Sequence, residues 1–178
     1  MDKRITLMVL IFCLVFLGVG CSDLSVLANP ARPTVNQALP TKTSLNHKTI
    51  ELRNCDGKTE HQSLADQVQV VCNITFPDQA ISTTTGGTLE LSTEMKSLLA
   101  DQVQRTYQQM YEDEKTGVEE TDLAVPVGRI RTFTVYWTRQ TINSTVSFTQ
   151  DDQTYSASYT YTLDIPDATI SMETGCTA

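Results

Sequence analysis

The hydrophobic and polar positions are most regular between Gly128 and Pro166. There Phe133, Val135 and Trp137 alternate with Thr132, Thr134, Tyr136 and Thr138. Ile142, Val146 and Phe148 alternate with Asn143, Thr145, Ser147 and Thr149, and Tyr155, Ala157, Tyr159, Tyr161 and Leu163 with Thr154, Ser156, Ser158, Thr160 and Thr162. A period of two is the mark of a strand with one dry and one wet face. The pattern predicts three strands in an antiparallel meander, because parallel neighbours need a long crossover. Gln150 to Gln153 closes one hairpin and Thr138 to Thr141 the other. Pro166, with no N–H to donate, is expected to end the ladder.

Upstream, Thr49 to Cys55 reads as a strand stopped by the turn signal Asp56-Gly57. Val68, Val70, Cys72, Ile74 and Phe76 share one face of a second, and a short strand is expected near Gly87 to Leu91. Between the strand groups the period changes. Leu91, Met95, Leu98, Leu99, Val103, Tyr107, Met110 and Tyr111 recur at spacings of three and four, which predicts one amphipathic helix from the Ser92 cap to Thr116, stopped by Gly117. The Tyr and Met stripe on it reads as core. These elements predict an α+β fold: a mostly antiparallel sheet of five to six strands with one long helix packed on one face. About 130 residues from Lys48 onward make a single domain, enough to bury roughly two-thirds of the chain surface.

The first twenty residues have another pattern. Asp2, Lys3 and Arg4 precede an apolar run from Ile5 to Val19, the layout of a secretory signal peptide and too short to span a bilayer comfortably. The run meets Leu17-Gly18-Val19-Gly20-Cys21-Ser22, whose Val19, Gly20 and Cys21 resemble the lipobox of bacterial lipoproteins. Leu17 lies one position further from the cysteine than the family's usual aliphatic residue. The resemblance implies that residues 1–20 are removed and that Cys21 is lipidated, with an acylated N-terminus on a membrane facing the periplasm or the exterior. More than one acyl chain makes such anchoring stable. The alternative is ordinary signal-peptidase cleavage after Val26-Leu27-Ala28, without lipid. Asn29 to Lys48 carries Pro30, Pro33 and Pro40 with no period, so residues 21–47 read as a lipidated cysteine and a flexible tether.

Net charge −8 makes nucleic acid a poor partner, as it does electrostatic binding to anionic lipid. Membrane association is therefore assigned to the anchor. An extracytoplasmic chain is expected to form disulfides. With Cys13 in the signal and Cys21 lipidated, Cys55, Cys72 and Cys176 remain, one of them odd. Cys72 lies on the dry face of its strand, so Cys55 and Cys176 are expected to pair, with Cys55 to Cys72 as the alternative.

Candidate chemistry is sparse. The histidines are His47 and His61, both in polar surroundings, and no Gly-x-Ser-x-Gly elbow, phosphate loop or zinc spacing occurs. The acidic runs Glu112-Asp113-Glu114 and Glu119-Glu120-Thr121-Asp122 lack the spacing of an EF-hand, and Asp151-Asp152 suits a turn. No cofactor, metal or catalytic residue is expected. Asn73-Ile74-Thr75 and Asn143-Ser144-Thr145 fit the glycosylation pattern, but each lies within a predicted strand. The expected function is a non-enzymatic, membrane-anchored lipoprotein with a binding, adhesion or envelope-structural role and an unidentified protein or glycan partner. The alternatives are a β-rich protein that inserts into membranes, for which alternating Thr141 to Thr162 is the relevant stretch, and an enzyme with an unrecognised site.

Overall fold

The computed structural model describes residues 32–58, 60–64, 67–119 and 123–176. The signal-like segment and Cys21 lie outside them. The described residues are mostly β, 54% of them in strands and 19% in helices. This corrects the expected five to six strands beneath one long helix.

Among the described residues ten strands and two short helices follow one another: β1 (Thr34–Val35), β2 (Thr41–Ser44), β3 (Lys48–Asn54), β4 (His61–Ser63), β5 (Val71–Thr75), β6 (Gln79–Ser82), β7 (Thr88–Glu90), α1 (Thr93–Thr106), α2 (Gln108–Glu119), β8 (Ala124–Pro126), β9 (Arg129–Gln150) and β10 (Gln153–Gly175). Eight strands form one sheet, while β4 and β8 pair separately. The large sheet is built on the antiparallel pair β9 and β10, of 22 and 23 residues. At about 3.3 Å per residue each runs for roughly 70 Å.

Thr138 to Thr141 is not a turn. It lies inside β9, paired with Ile165 to Thr162 on one side and with β2 on the other. Pro166 does not end the ladder either. It pairs with Trp137, and β10 continues to Gly175. Beyond Asp164 the far side of β10 pairs with no other described strand, so the missing N–H costs no ladder bond there. Asp151 and Asp152 make the tight turn between the two strands, with φ of 51° and 59°. Such left-handed geometry at both central positions matches the twist of the hairpin, and Asp tolerates it better than most residues.

The phase of burial changes along β9. Phe133 and Val135 are buried on one face; Ile142, Val146 and Phe148 are buried on the opposite face, because the two sets differ in parity along one unbroken strand. Two cores result. Ile142, Val146, Ala157, Tyr159, Tyr161 and Leu163 pack with Leu99, Val103 and Tyr107 of the helical segment. Phe133 and Val135 pack with Leu52, Leu64, Val68, Leu123 and Val125, on the other side. Val68, which shares a predicted strand face with Val70 and Cys72, belongs to this second core, and β5 begins only at Val71.

The helical segment is broken at Tyr107, whose φ of −106° and ψ of 13° leave the helix after Thr106. The ladder nearly continues, since the Tyr107 N–H bonds Val103 O and the Tyr111 N–H bonds Tyr107 O. The bend sets the Tyr107 hydroxyl 2.9 Å from that of Tyr159. Ser92 caps α1 as expected, accepting from the Met95 N–H. Gly117 does not stop α2, which runs to Glu119, and Leu98 of the apolar stripe is exposed.

Within the segment that reads as a tether, β1 pairs with Val146 and Ser147 of β9 and β2 with Thr138 to Thr141. Ala38 N–H donates to Tyr107 Oη, while Tyr159 Oη donates to Asn36 O. Proline spacing hid these contacts. The compact unit begins at Pro33.

Candidate functional site

The side of the sheet opposite the helical core is an open face whose residues are fixed by register. Thr41 of β2 lies across from Thr141, Thr141 from Thr162, and Thr162 from Asn73, a row spanning four strands. The next rows are Asn143, Thr160 and Thr75; Thr145 and Ser158; and Thr34, Ser147, Ser156 and Ile81. Thr149 faces Thr154. Alternation puts every one of these side chains on the same surface, and Asn73, Thr75, Asn143 and Ser158 are exposed. Side-chain hydrogen bonds lace it: Thr160 Oγ1 donates to Asn143 Oδ1 at 2.7 Å and Asn36 Nδ2 to Thr145 Oγ1 at 2.6 Å. Neither a charged nor an aromatic side chain stands in these rows. The field ends at Arg139, which donates from Nε and Nη2 to the two carboxylate oxygens of Asp164 at 2.6 Å each. Those hydrogen bonds hold the Asp164 carboxyl below its ordinary range.

Both glycosylation-type asparagines lie in this field, on strands as predicted. Asp151 and Asp152 are turn residues.

On the helical side, a groove of about 470 Å³ runs between α2 and the segment before β5, lined by Val68, Gln69, Val70, Tyr111, Lys115, Val118 and Glu119. Lys115 and Glu119 stand 3.8 Å apart and largely solvated. The first acidic run has its own partners: Gln108 donates to Glu112, Gln109 to Asp113 and the buried Gln140 to Glu114. No cluster of three or more metal-ligating side chains occurs among the described residues. Residues 120–122 of the second run lie outside them. His47 rests its ring against Tyr136, with centroids 5.9 Å apart. His61 contributes backbone to β4.

Cys55 and Cys176 form the disulfide, with Cα atoms 5.8 Å apart, while Cys72 is free. Burial pushes the Cys72 thiol up, and the Tyr161 hydroxyl beside it acts in the opposite sense. The thiol points at α1, where its Sγ is 3.3 Å from Gln104 Oε1. Sequence reasoning placed Cys72 among core positions and missed Gln104, because a polar residue between the members of a helical stripe carries no mark of what it faces. No family model, curated protein or solved structure matches this chain.

Proposed function

We propose that this chain is an extracytoplasmic, lipid-anchored binding domain held through Cys21, and that the open hydroxyl and amide face of the sheet is its recognition surface for a neutral glycan. The observation that carries the reading is the row Thr41, Thr141, Thr162 and Asn73 with the rows parallel to it, an uncharged field in a chain of net charge −8. Hydroxyl and carboxamide groups both donate and accept, so they can exchange hydrogen bonds with sugar hydroxyls, directly or through water. In an acidic chain, rows without charge, bounded by the Arg139–Asp164 pair on one side and Glu90 on another, favour neutral partners there over polyanions. The disulfide supports an oxidising compartment, and the lipobox resemblance at Val19 to Cys21 supports the anchor.

Co-sedimentation with insoluble neutral polysaccharides tests the surface. The mature domain is expected to pellet with at least one of them. Two long side chains of opposite charge in the central row, Thr141→Arg with Thr162→Glu, should weaken binding at least about tenfold, or ~1.4 kcal/mol, without lowering the melting temperature, because opposite charges pair favourably across strands. A wild-type domain that stays in the supernatant with every neutral glycan, or a double variant that binds as well as wild type, overturns the reading.

A further inference from the structure

One side-chain pair lies apart from the open face and has the parts of a covalent reaction. Cys72 of β5 and Gln104 of α1 are 32 residues apart, and the thiol donates a hydrogen bond to the carboxamide oxygen, Sγ to Oε1 3.3 Å, in a part-buried setting. The δ-carbon that bears this oxygen lies one carbonyl bond, about 1.2 Å, away from it. On the nitrogen side, Gln104 Nε2 donates to Gln108 Oε1 at 3.4 Å, and Gln108 Nε2 donates to Glu112 Oε1 at 2.6 Å. The amide is therefore held at both ends, oxygen toward the sulfur and nitrogen toward an acceptor.

A second, independent feature stands beside the thiol. Tyr161 is fully buried, and its hydroxyl has no hydrogen-bond partner meeting the usual geometric limits. The register explains its place: Leu163 lies opposite Cys72 and Tyr161 opposite Ile74, so Tyr161 and Cys72 are diagonal neighbours on the helical face of the sheet. The Tyr161 hydroxyl stands beside the Cys72 thiol, on whose ionisation it acts, and can turn to a new oxygen acceptor. The disulfide between Cys55 and Cys176 leaves Cys72 as the free cysteine of the described residues.

The geometry points to an internal thioester between Cys72 and Gln104, a masked acyl group that a primary amine can open. In its formation Cys72 Sγ bonds to Gln104 Cδ, the bond from Cδ to Nε2 breaks, and the thiol proton leaves with the nitrogen as ammonia. No oxidant or reductant is needed. The Tyr161 hydroxyl is the donor for the oxyanion that develops on Oε1, the role that buried donors play in acyl transfer. Opening reverses the bond: an amine attacks Cδ, an amide to Gln104 forms, and the Cys72 thiol is released. A domain bearing this bond would attach itself covalently to a lysine-bearing surface. That role rests on the reading of the chain as a displayed binding domain, whereas the bond does not.

Peptide mapping of the full-length protein purified from its own cells tests the bond apart from anchor and glycan. Trypsin places Cys72 and Gln104 in separate peptides, 59–96 and 97–105. After native exposure to methylamine, the peptide carrying Gln104 should be heavier by one methylene, and one thiol should appear at Cys72. Untreated protein should yield the two peptides joined, lighter than their sum by one ammonia. Glu at position 104 in wild type but not in Cys72→Ser also supports the bond, as its hydrolysis product. Gln104 intact and Cys72 freely alkylated upon unfolding of untreated protein overturns it. So does methylamine uptake at Gln104 in Cys72→Ser. Loss of glycan binding or of the lipid leaves these masses unchanged.

Discussion

At the scale of single residues, Tyr159 shows how a polar group stabilises an apolar core. It is 2% exposed, and its hydroxyl continues a chain in which Ala38 N–H donates to Tyr107, Tyr107 to Tyr159, and Tyr159 to Asn36 O. Three separate elements meet in it: the segment after β1, the bend between α1 and α2, and β10. Tyr159→Phe keeps the ring and strands its neighbours, so it should cost about 1–3 kcal/mol in urea unfolding, the penalty for a buried group left unpaired. Burial first, and the Tyr107 hydroxyl second, push the Tyr159 ionisation well above its ordinary 10; Tyr161 is raised chiefly by burial too. The sign follows from linkage: the folded state keeps these protons where the unfolded state loses them. Their contribution is complete below pH 10 and declines as pH rises beyond it. Urea midpoints from pH 8 to 12 should fall above 10, and less steeply in Tyr159→Phe. A midpoint as flat above pH 10 as below it would contradict this account of the core.

At the scale of elements, the central feature is that β9 buries opposite faces in its two halves. The change of phase is visible in the sequence, where the apolar residues move from odd positions at Phe133, Val135 and Trp137 to even positions at Ile142, Val146 and Phe148. Two physical arrangements produce it: a turn that starts a new strand, or one strand whose covering elements change sides. Local alternation cannot separate them, because the covering residues Leu64 and Leu123 on one side and Leu99 and Val103 on the other are distant in sequence. Strand existence, the Asp151-Asp152 turn and the Cys55 to Cys176 pairing were legible because each rests on local chemistry or on elimination. The strands β1 and β2 were not, because edge pairing by main-chain groups leaves no hydrophobic period. Nor was the break at Tyr107, since a residue on a perfect helical stripe reads as helix until its hydroxyl partner is known. A scan of glutamate along β9 would display the switch directly. Val135→Glu and Val146→Glu each bury a charge and should leave no folded domain, or cost at least about 4 kcal/mol. Tyr136→Glu and Thr145→Glu, which lose only a ring contact and one hydrogen bond, should cost no more than about 1.5 kcal/mol. A scan that kept one parity throughout would mean that β9 is not the single strand described.

At the scale of the whole fold, the same switch leaves two cores that share no residue, joined through β9 and β10. The disulfide belongs to the end of this sheet where the smaller core lies. Cys55 follows β3 at Asn54, Cys176 follows β10 at Gly175, and both flank the last pairs of β9, Asn54 with Arg129 and Gly175 with Arg129. Here β10 pairs with β9 alone, Ile170 and Met172 are exposed, and the register slips between them, so packing contributes little to holding the strand. The covalent link closes a separation of 121 residues. In the chain-entropy treatment a loop of that size is worth about 5 kcal/mol, comparable to the whole stability of many domains. Cys55→Ala with Cys176→Ala should therefore lower the unfolding free energy by several kcal/mol. The loss should be uneven. Hydrogen exchange in the double variant is expected to rise first in β3, β8 and the part of β10 after Asp164, which surround the smaller core. The half containing Val103, Tyr159 and Tyr161 should keep its protection, since its packing does not run through the disulfide. Equal deprotection of both halves would instead mean that the two cores unfold as one unit, coupled through the long hairpin more strongly than their separate packing implies.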